Sequence, residues 1–135
     1  MNIAIDIDDT LTESFDYFLP YVAEYFDVDE ETLRKQNISY SNLPKEWKKD
    51  EIGFCRAYYD RIVPGTPFKQ DAAWGVKRLR ELGHRIVIIT ARTDALYTDP
   101  YQTTEQELAN GGICYDKLIC TFDKAKACVR KKYPF

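Results

Sequence analysis

Three short apolar segments, separated by stretches with helical spacing, constrain the fold of this sequence most strongly. They cover residues 2–7 (NIAIDI), 85–90 (RIVIIT) and 117–121 (KLICT). Such short, β-branched runs are typical of strands buried on both faces of a parallel sheet. Strands that alternate with helices are joined by right-handed crossovers. The sequence therefore predicts an α/β fold whose parallel sheet has three identifiable strands in the order 3-2-1, with the first strand at an edge.

A stretch of different character separates the first two strands. Residues 13–64 carry helical patterns with one polar face and are too long for a loop. The first pattern contains Pro20, so we expect the helix to kink or restart there. We predict that residues 13–64 form a small helical subdomain, inserted into a core made of residues 1–12 and 65–135. Further helices of this insert are expected at residues 30–35 with Asp29 as cap, after Pro44, and at residues 50–61.

The helices of the core have recognisable ends. Gly83 supplies the C-terminal stop of the first one. Thr104 and Glu107 match a capping box, which predicts that the next helix begins there and ends at Gly111. Asp123 is expected to cap a last helix. The first helix places four apolar residues on one face, namely Ala72, Val76, Leu79 and Leu82.

Composition limits the class of protein. The chain has 135 residues, 44% of them hydrophobic and 30% charged, with a net charge of −3. A mildly acidic chain is not suited to coating a nucleic-acid polymer, and no apolar run approaches the length of a membrane span. No secretory signal is visible, and the four cysteines form no C-x-x-C pair. We therefore expect free thiols and a cytoplasmic protein without a membrane partner.

Polar residues follow each predicted strand. Because the carboxyl ends of parallel strands meet at one edge of a sheet, where such folds bind ligands, we expect these side chains to share one crevice. It would contain carboxylates, a hydroxyl and two cations. The residues concerned are Asp6, Asp8, Asp9 and Thr10 after the first strand, Thr90, Ala91 and Arg92 at the second, and Asp123 and Lys124 after the third.

Asp6 and Asp8 carry the chemistry that this crevice suggests. Two residues apart, they would point to the same face of an extended strand, where their charges repel unless a cation or a shared proton relieves them. Mg²⁺ prefers oxygen ligands and leaves room for a phosphate. One carboxylate could then attack phosphorus and the other could protonate the leaving oxygen. The alternative is that both acids cap a helix or line a solvated turn.

Three further residues are each weak indicators by themselves. Lys124 lies in the first turn of an expected helix, where the helix dipole disfavours a cation unless a phosphate or carboxylate is near. The alternative for Lys124 is a solvated surface lysine. Thr90 could be an ordinary strand-end residue, and Arg92 could be a surface arginine.

The order of these residues resembles a known family. Asp6-x-Asp8-x-Thr10 after the first strand, Thr90 after the second and Lys124 after the third resemble the first three motifs of the haloacid dehalogenase-like superfamily. The stretches IAIDIDDTLT, ITAR and FDKAK are most similar to small bacterial proteins grouped with 5′(3′)-deoxyribonucleotidases. The resemblance covers nearly the whole chain. It implies a Rossmann-like three-layer core with a helical cap at the position of the insert.

The resemblance also implies roles for single residues. Asp6 would be the nucleophile and a Mg²⁺ ligand, and Asp8 the general acid and base whose backbone carbonyl also binds the metal. Thr90 would bind phosphoryl oxygens with the help of backbone N–H groups, and Lys124 would neutralise the nucleophile and the phosphate. The residues expected to contact the substrate are Thr10, Ala91 and Arg92.

One departure from the family pattern leaves two functions open. The fourth motif, an acidic pair after another strand, is absent because no Asp or Glu follows Asp123. The leading hypothesis is a Mg²⁺-dependent phosphomonoesterase acting on a small phosphorylated metabolite or nucleotide. The alternative is a truncated or degenerate phosphate-binding protein with little or no catalysis. A signalling receiver domain fits less well, because receivers lack an insert after the first strand.

Two expectations concern contacts outside the site. An unpaired apolar first strand favours pairing with another chain, so we expect a homodimer through that edge, or cover from the C-terminal residues 133–135. Five aromatic residues of the insert could either stack on a base or form the core of the insert, and we favour the core. They are Phe15, Tyr17, Tyr40, Trp47 and Tyr58.

Overall fold

The computed structural model describes residues 1–123, and its sheet has the predicted topology. β1 (Asn2–Ile5), β2 (Arg85–Thr90) and β3 (Lys117–Cys120) are all parallel, with β2 in the middle. Parallel pairing with helices between the strands confirms the α/β class and the strand order.

The helices of the described residues follow the expected order, with differences in detail. α1 continues through Pro20 as one helix, although a restart was one expectation. Apolar residues on both sides of Pro20 are buried and offset the missing backbone hydrogen bond. Asp29 caps the next helix by accepting from the Thr32 N–H at 3.2 Å. The helices are α1 (Ser14–Tyr25), α2 (Glu30–Lys35), α3 (Lys45–Lys48), α4 (Glu51–Ile62), α5 (Ala72–Glu81) and α6 (Pro100–Asn110), and Val63–Gly65 forms a 3-10 turn.

The predicted capping box at Thr104 and Glu107 is wrong. α6 begins four residues earlier, where the Asp99 carboxylate accepts from the Gln102 N–H at 3.0 Å and Pro100 occupies the first turn. The same i, i+3 spacing that makes a capping box also places two residues on one face inside a helix. Thr104 and Glu107 are such a pair, and both are fully buried.

The expectation that β1 is buried on both faces is also wrong. Ala4 is exposed, and Ile3 and Ile5 are only partly buried. The reason is position, because within residues 1–123 β1 pairs only with β2, whereas β2 has a neighbour on each side. The central strand is accordingly the better buried, with Ile86 and Ile88 fully inaccessible.

The helices after β1 have a hydrophobic cluster of their own. Phe18, Val22 and Phe54 lie at its centre, and it is separate from the cluster on the sheet. The chain enters and leaves this helical region through adjacent segments, since Thr12 forms an antiparallel bridge with Phe68. Insert boundaries at residues 13 and 64 remain a prediction.

Two general expectations can be compared with the described residues. Cys55, Cys114 and Cys120 are free thiols. Within residues 1–123, no helix is both long and apolar enough to cross a membrane. Cys128 and the predicted helix after Asp123 lie outside the described residues.

Candidate active site at the carboxyl edge of the sheet

A tight turn shapes the acidic segment directly after β1. The carbonyl of Ile7 accepts from the N–H groups of Thr10 at 3.0 Å and Leu11 at 2.9 Å. Asp9 has a φ of 59°, in the left-handed region that Asp tolerates better than most residues. Ile7 is fully buried beneath the turn. The turn therefore anchors the backbone between Asp6 and Asp8 to the core at the carboxyl end of β1.

The carboxylate of Asp8 is held by two side chains. Its Oδ1 accepts from the Ser14 hydroxyl at 3.0 Å and from Nη2 of Arg92 at 3.0 Å. Ser14, at the start of α1, is itself in hydrogen-bond contact with Thr12 at 2.5 Å. The Asp8 side chain is 34% exposed, so it is fixed on one side and open on the other. This is a geometry that suits a proton-transfer group.

Arg92 connects Asp8 to α6. Its Nη1 donates to Oε1 of Glu107 at 2.7 Å and to the Thr104 hydroxyl at 3.1 Å. The Arg92 side chain is 2% exposed and that of Glu107 is 0% exposed, so this is a buried ion pair. The alternative that Arg92 is a surface arginine is therefore wrong, because the loop after β2 turns its side chain inward toward two acids.

Burial and charge act on these groups in opposite directions. Burial raises the pKa of the Glu107 carboxyl, and the adjacent Arg92 charge counteracts this. For Arg92, burial alone lowers the pKa, but Asp8, Tyr97 and Glu107 together raise it above its ordinary value. Arg92 thus stays charged although it is almost inaccessible to solvent.

Thr90 ends β2 with a buried hydroxyl. The residue is 0% exposed, and its Oγ1 has no hydrogen-bond partner among the described residues. Its backbone carbonyl accepts from the Thr121 N–H at 2.8 Å. A buried hydroxyl without a partner costs free energy unless another group completes it. Thr90 therefore has capacity for a ligand at this edge of the sheet.

The other predicted site residues are placed with less detail. Asp6 is partly buried at the end of β1, and Ala91 is partly buried in the loop after β2. Thr10 is exposed on the turn, and Lys124 lies outside the described residues. The register of β1 on β2 brings Asp6, Asp8, Thr90 and Arg92 to the same edge, as the sequence predicted.

The residues present can be compared with the needs of Mg²⁺. Asp6 and Asp8 provide only oxygen donors, which are the ligands that Mg²⁺ prefers. Mg²⁺ is commonly held by one or two carboxylates together with water and substrate phosphate. Residues 1–123 contain no group of three or more acidic, His or Cys side chains that could enclose a metal ion by themselves. The donor set thus fits an open Mg²⁺ site more closely than an all-protein cage.

The aromatic residues of the insert mostly pack against one another. Tyr17, Tyr40 and Trp47 are partly buried against the cluster of the insert, and Tyr58 belongs to it. Phe15 packs on Tyr40, with ring centroids 5.8 Å apart. These contacts agree with the core interpretation that we favoured over base stacking.

Sequence reasoning missed three groups at or beside the site. Glu107 was assigned to a helix cap. A helix over residues 100–110 has Leu108 as its only apolar residue on the inner face, and this could have indicated that a polar residue is buried beside it. Ser14 gave no comparable signal. Lys69 was also missed, and its Nζ donates to the Asp9 carbonyl at 2.9 Å beside the turn.

Comparisons with known proteins yield no relative. The chain matches no protein-family model, no curated protein and no solved structure. The chemistry of the site is accordingly argued from its own residues.

Proposed function

We propose that this protein is a Mg²⁺-dependent phosphomonoester hydrolase, nucleotidase-like, that acts through an aspartyl-phosphate. The observation that carries the proposal is the arrangement of Asp8, which is two residues after Asp6 at the carboxyl end of β1 and is held by Ser14 and Arg92. The motif order that resembles the haloacid dehalogenase-like superfamily supports it. A Rossmann-like three-layer core capped by residues 13–64 is part of the same proposal.

The reaction divides between the two aspartates. A carboxylate oxygen of Asp6 attacks phosphorus, and the bond from phosphorus to the ester oxygen breaks while that oxygen takes a proton from Asp8. Asp8 then accepts a proton from water as the water oxygen attacks the phosphorus of the aspartyl-phosphate. The bond to Asp6 breaks, inorganic phosphate leaves, and both side chains return to their initial states.

The remaining residues bind the phosphate. The Thr90 hydroxyl donates to a phosphoryl oxygen, and the backbone N–H of Ala91 contributes a second donor. Lys124 neutralises the charge of the nucleophile and the phosphate, and Thr10 contacts the substrate from the turn. Donors of this kind stabilise charge that develops during phosphoryl transfer.

Mg²⁺ would be held by Asp6 and by the backbone carbonyl of Asp8. When bound, it neutralises phosphate charge that would otherwise repel the attacking carboxylate. The substrate is a small phosphorylated metabolite or nucleotide, and neither a nucleic-acid polymer nor a membrane is a partner. The cytoplasm is the proposed compartment.

The proposal is tested with the purified chain and its Asp6→Asn variant. Wild type should release phosphate from p-nitrophenyl phosphate and from 2′-deoxynucleoside 5′-monophosphates with Mg²⁺, and chelation by EDTA should stop release. Asp6→Asn should lose turnover because an amide is a poor nucleophile, while its circular dichroism spectrum stays unchanged. Turnover by the folded variant at the wild-type rate would exclude Asp6 as nucleophile.

The second candidate is a phosphate-binding protein of the same fold with little or no catalysis. The observation that favours it is that residues 1–123 contain no group of three or more His, Cys, Asp or Glu side chains that could hold a metal ion. Calorimetry separates the candidates, because this alternative predicts that a nucleotide binds with Mg²⁺ while no phosphate is released during prolonged incubation.

A further inference from the structure

We propose that Arg92 and Glu107 are positioning residues for Asp8 and do not contact the substrate. The inference rests on the proposed function, since it concerns the group that transfers the proton. It differs from the role that family resemblance implies for Arg92, which is a contact to phosphate or substrate. The structural basis is the chain of contacts from α6 through Arg92 to Asp8.

Arg92 has little capacity left for a substrate. Its side chain is 2% exposed, Nη2 is bonded to Asp8, and Nη1 is shared by Glu107 and Thr104. The Tyr97 ring lies beneath the guanidinium, with its centroid 5.8 Å from Cζ. Nε has no hydrogen-bond partner among the described residues, but it is buried as well. Both terminal nitrogens are thus engaged by protein partners and Nε is shielded from solvent, so no part of the guanidinium is open to a phosphate in this structure.

Glu107 explains why a buried cation is tolerated next to the site. An isolated charge in the interior is costly, and removing one partner of a buried pair leaves the other uncompensated. Glu107 lies at 2.7 Å from Nη1, closer than Asp8 lies to Nη2 at 3.0 Å. Because Glu107 anchors the guanidinium from a helix, the fork geometry of Arg92 fixes where Asp8 can sit.

The contacts also separate the two oxygens of Asp8. Both hydrogen bonds that the described residues donate to this carboxylate, from Ser14 and from Arg92, end on Oδ1. Oδ2 is then the oxygen left to exchange a proton with the leaving group and with water. Loss of the anchor would let the carboxylate rotate, and displacement of an acid by about 1 Å can cost about 100-fold in rate.

The test compares esters that differ in their need for an acid. An alkyl ester such as a 2′-deoxynucleoside 5′-monophosphate leaves as an alkoxide and needs a proton, whereas p-nitrophenolate leaves without one. kcat/KM reports the steps up to departure of the leaving group. Wild type, Arg92→Lys and Glu107→Gln are compared on both esters with Mg²⁺. Arg80→Lys is the matched control. Arg80 also donates to a carboxylate, because its Nη2 lies 3.0 Å from Oδ1 of Asp116, but this pair is at the opposite end of the sheet.

The proposal predicts a leaving-group-dependent loss. For Arg92→Lys and Glu107→Gln, kcat/KM on the alkyl ester should fall about 100-fold, within the range that general acid catalysis contributes, and on p-nitrophenyl phosphate less than about 10-fold. The variants should also show a burst of p-nitrophenolate, since Asp8 is needed again when water attacks. Arg80→Lys should behave as wild type on both esters.

Other outcomes overturn the proposal in distinguishable ways. Equal losses on both esters, with a raised KM, would show that Arg92 binds phosphate. Equal losses together with a lowered melting temperature would show that the two residues have a purely structural role. Glu107→Gln keeps an acceptor for Nη1, so the comparison of the two esters can still be made with this variant if Arg92→Lys fails to fold. Wild type inactive on both esters would overturn the proposed function and this inference with it.

Discussion

The carboxylate of Asp60 on α4 accepts from both donors of Thr98, from its backbone N–H at 3.0 Å and from its hydroxyl at 2.5 Å. One turn earlier on α4, Nε of Arg56 donates to the Ala95 carbonyl at 2.8 Å. Tyr97, between these contacts, is buried in the cluster of the insert. The insert is therefore joined to the core at its own chain ends and also through the loop after β2. Movement of the insert away from the core must break these contacts or carry the loop with it.

Removing the Asp60 carboxylate should loosen this second attachment. In Asp60→Ala we expect faster amide hydrogen exchange in residues 93–98, because the Thr98 N–H loses its acceptor. We also expect a rise in KM that is a few-fold larger than any change in kcat, because residues 93–98 directly follow Thr90 and Arg92 in the chain. Hydrogen exchange followed by mass spectrometry measures the first effect and steady-state kinetics the second.

Asp16→Ala is the matched control for Asp60→Ala. Asp16 is an exposed aspartate of the same insert, and its pair with Arg34 lies within the insert. It should leave exchange in residues 93–98 and KM unchanged. If both variants altered the loop equally, general softening of the insert, and not the Asp60 contact, would be responsible.

Thr90→Val should separate stability from activity. The hydroxyl is buried without a partner among the described residues, so replacing it by a methyl group should change the free energy of unfolding by less than about 0.5 kcal/mol or raise it slightly. If that hydroxyl donates to phosphate, kcat/KM should fall by about 100–1,000-fold. Unfolding by urea and steady-state kinetics on the same preparation test both points. Unchanged kcat/KM would remove Thr90 from the site.

Asp116 gives a pH-dependent contribution to stability. Its carboxylate accepts from the Ile86 N–H at 2.8 Å and from Arg80 at 3.0 Å. The backbone hydrogen bond, helped by Arg80, lowers the pKa of this carboxyl below its ordinary value of 3.8. A lowered folded-state pKa means that the stabilisation is present above the unfolded-state pKa and is lost as pH falls through the folded-state pKa.

Asp116→Asn should therefore destabilise the protein most at neutral pH. We expect a loss of about 1 kcal/mol in the free energy of unfolding near about pH 7, shrinking as the pH falls below about 4. Urea unfolding of both proteins across this range measures the difference. A difference that stays constant with pH would show that the charge of Asp116 contributes nothing.

Two glycines should respond in opposite directions to alanine. A Cβ on Gly111, after α6, would lie within 2.6 Å of three ring carbons of Phe68, so Gly111→Ala should cost about 1–3 kcal/mol. A Cβ on Gly75, inside α5, would meet no atom within 4 Å, so Gly75→Ala should stabilise the helix by about 0.5–1 kcal/mol. Thermal unfolding of the two variants provides the comparison, and a stabilised Gly111→Ala would contradict the packing seen here.

The strands and the edge that carries the candidate site could be predicted from the sequence. β2 was predicted residue for residue, and the placement of Asp6, Asp8 and Thr90 at one edge followed from strand order. These features are local, because a short β-branched run forms a strand largely irrespective of distant residues, and parallel pairing then aligns the strand ends. The cap of α2 at Asp29 is local in the same sense.

The start of α6 was wrongly predicted because two local signals compete there. Asp99 followed by Pro100 and the pair Thr104 and Glu107 both match helix beginnings. Packing decides between them, since α6 must present Thr104 and Glu107 to Arg92. No pattern within the helix itself contains that partner.

The sequence by itself determined the class of fold, the strand order and the set of polar residues at one edge of the sheet, because each depends on neighbours in the chain. Only the tertiary structure decided that Arg92 is buried between Asp8, 84 positions away, and Glu107, 15 positions away. The physical reason is that a buried charge is stable only where packing brings compensating charges to within hydrogen-bond distance. That distance depends on how the helices pack on the sheet.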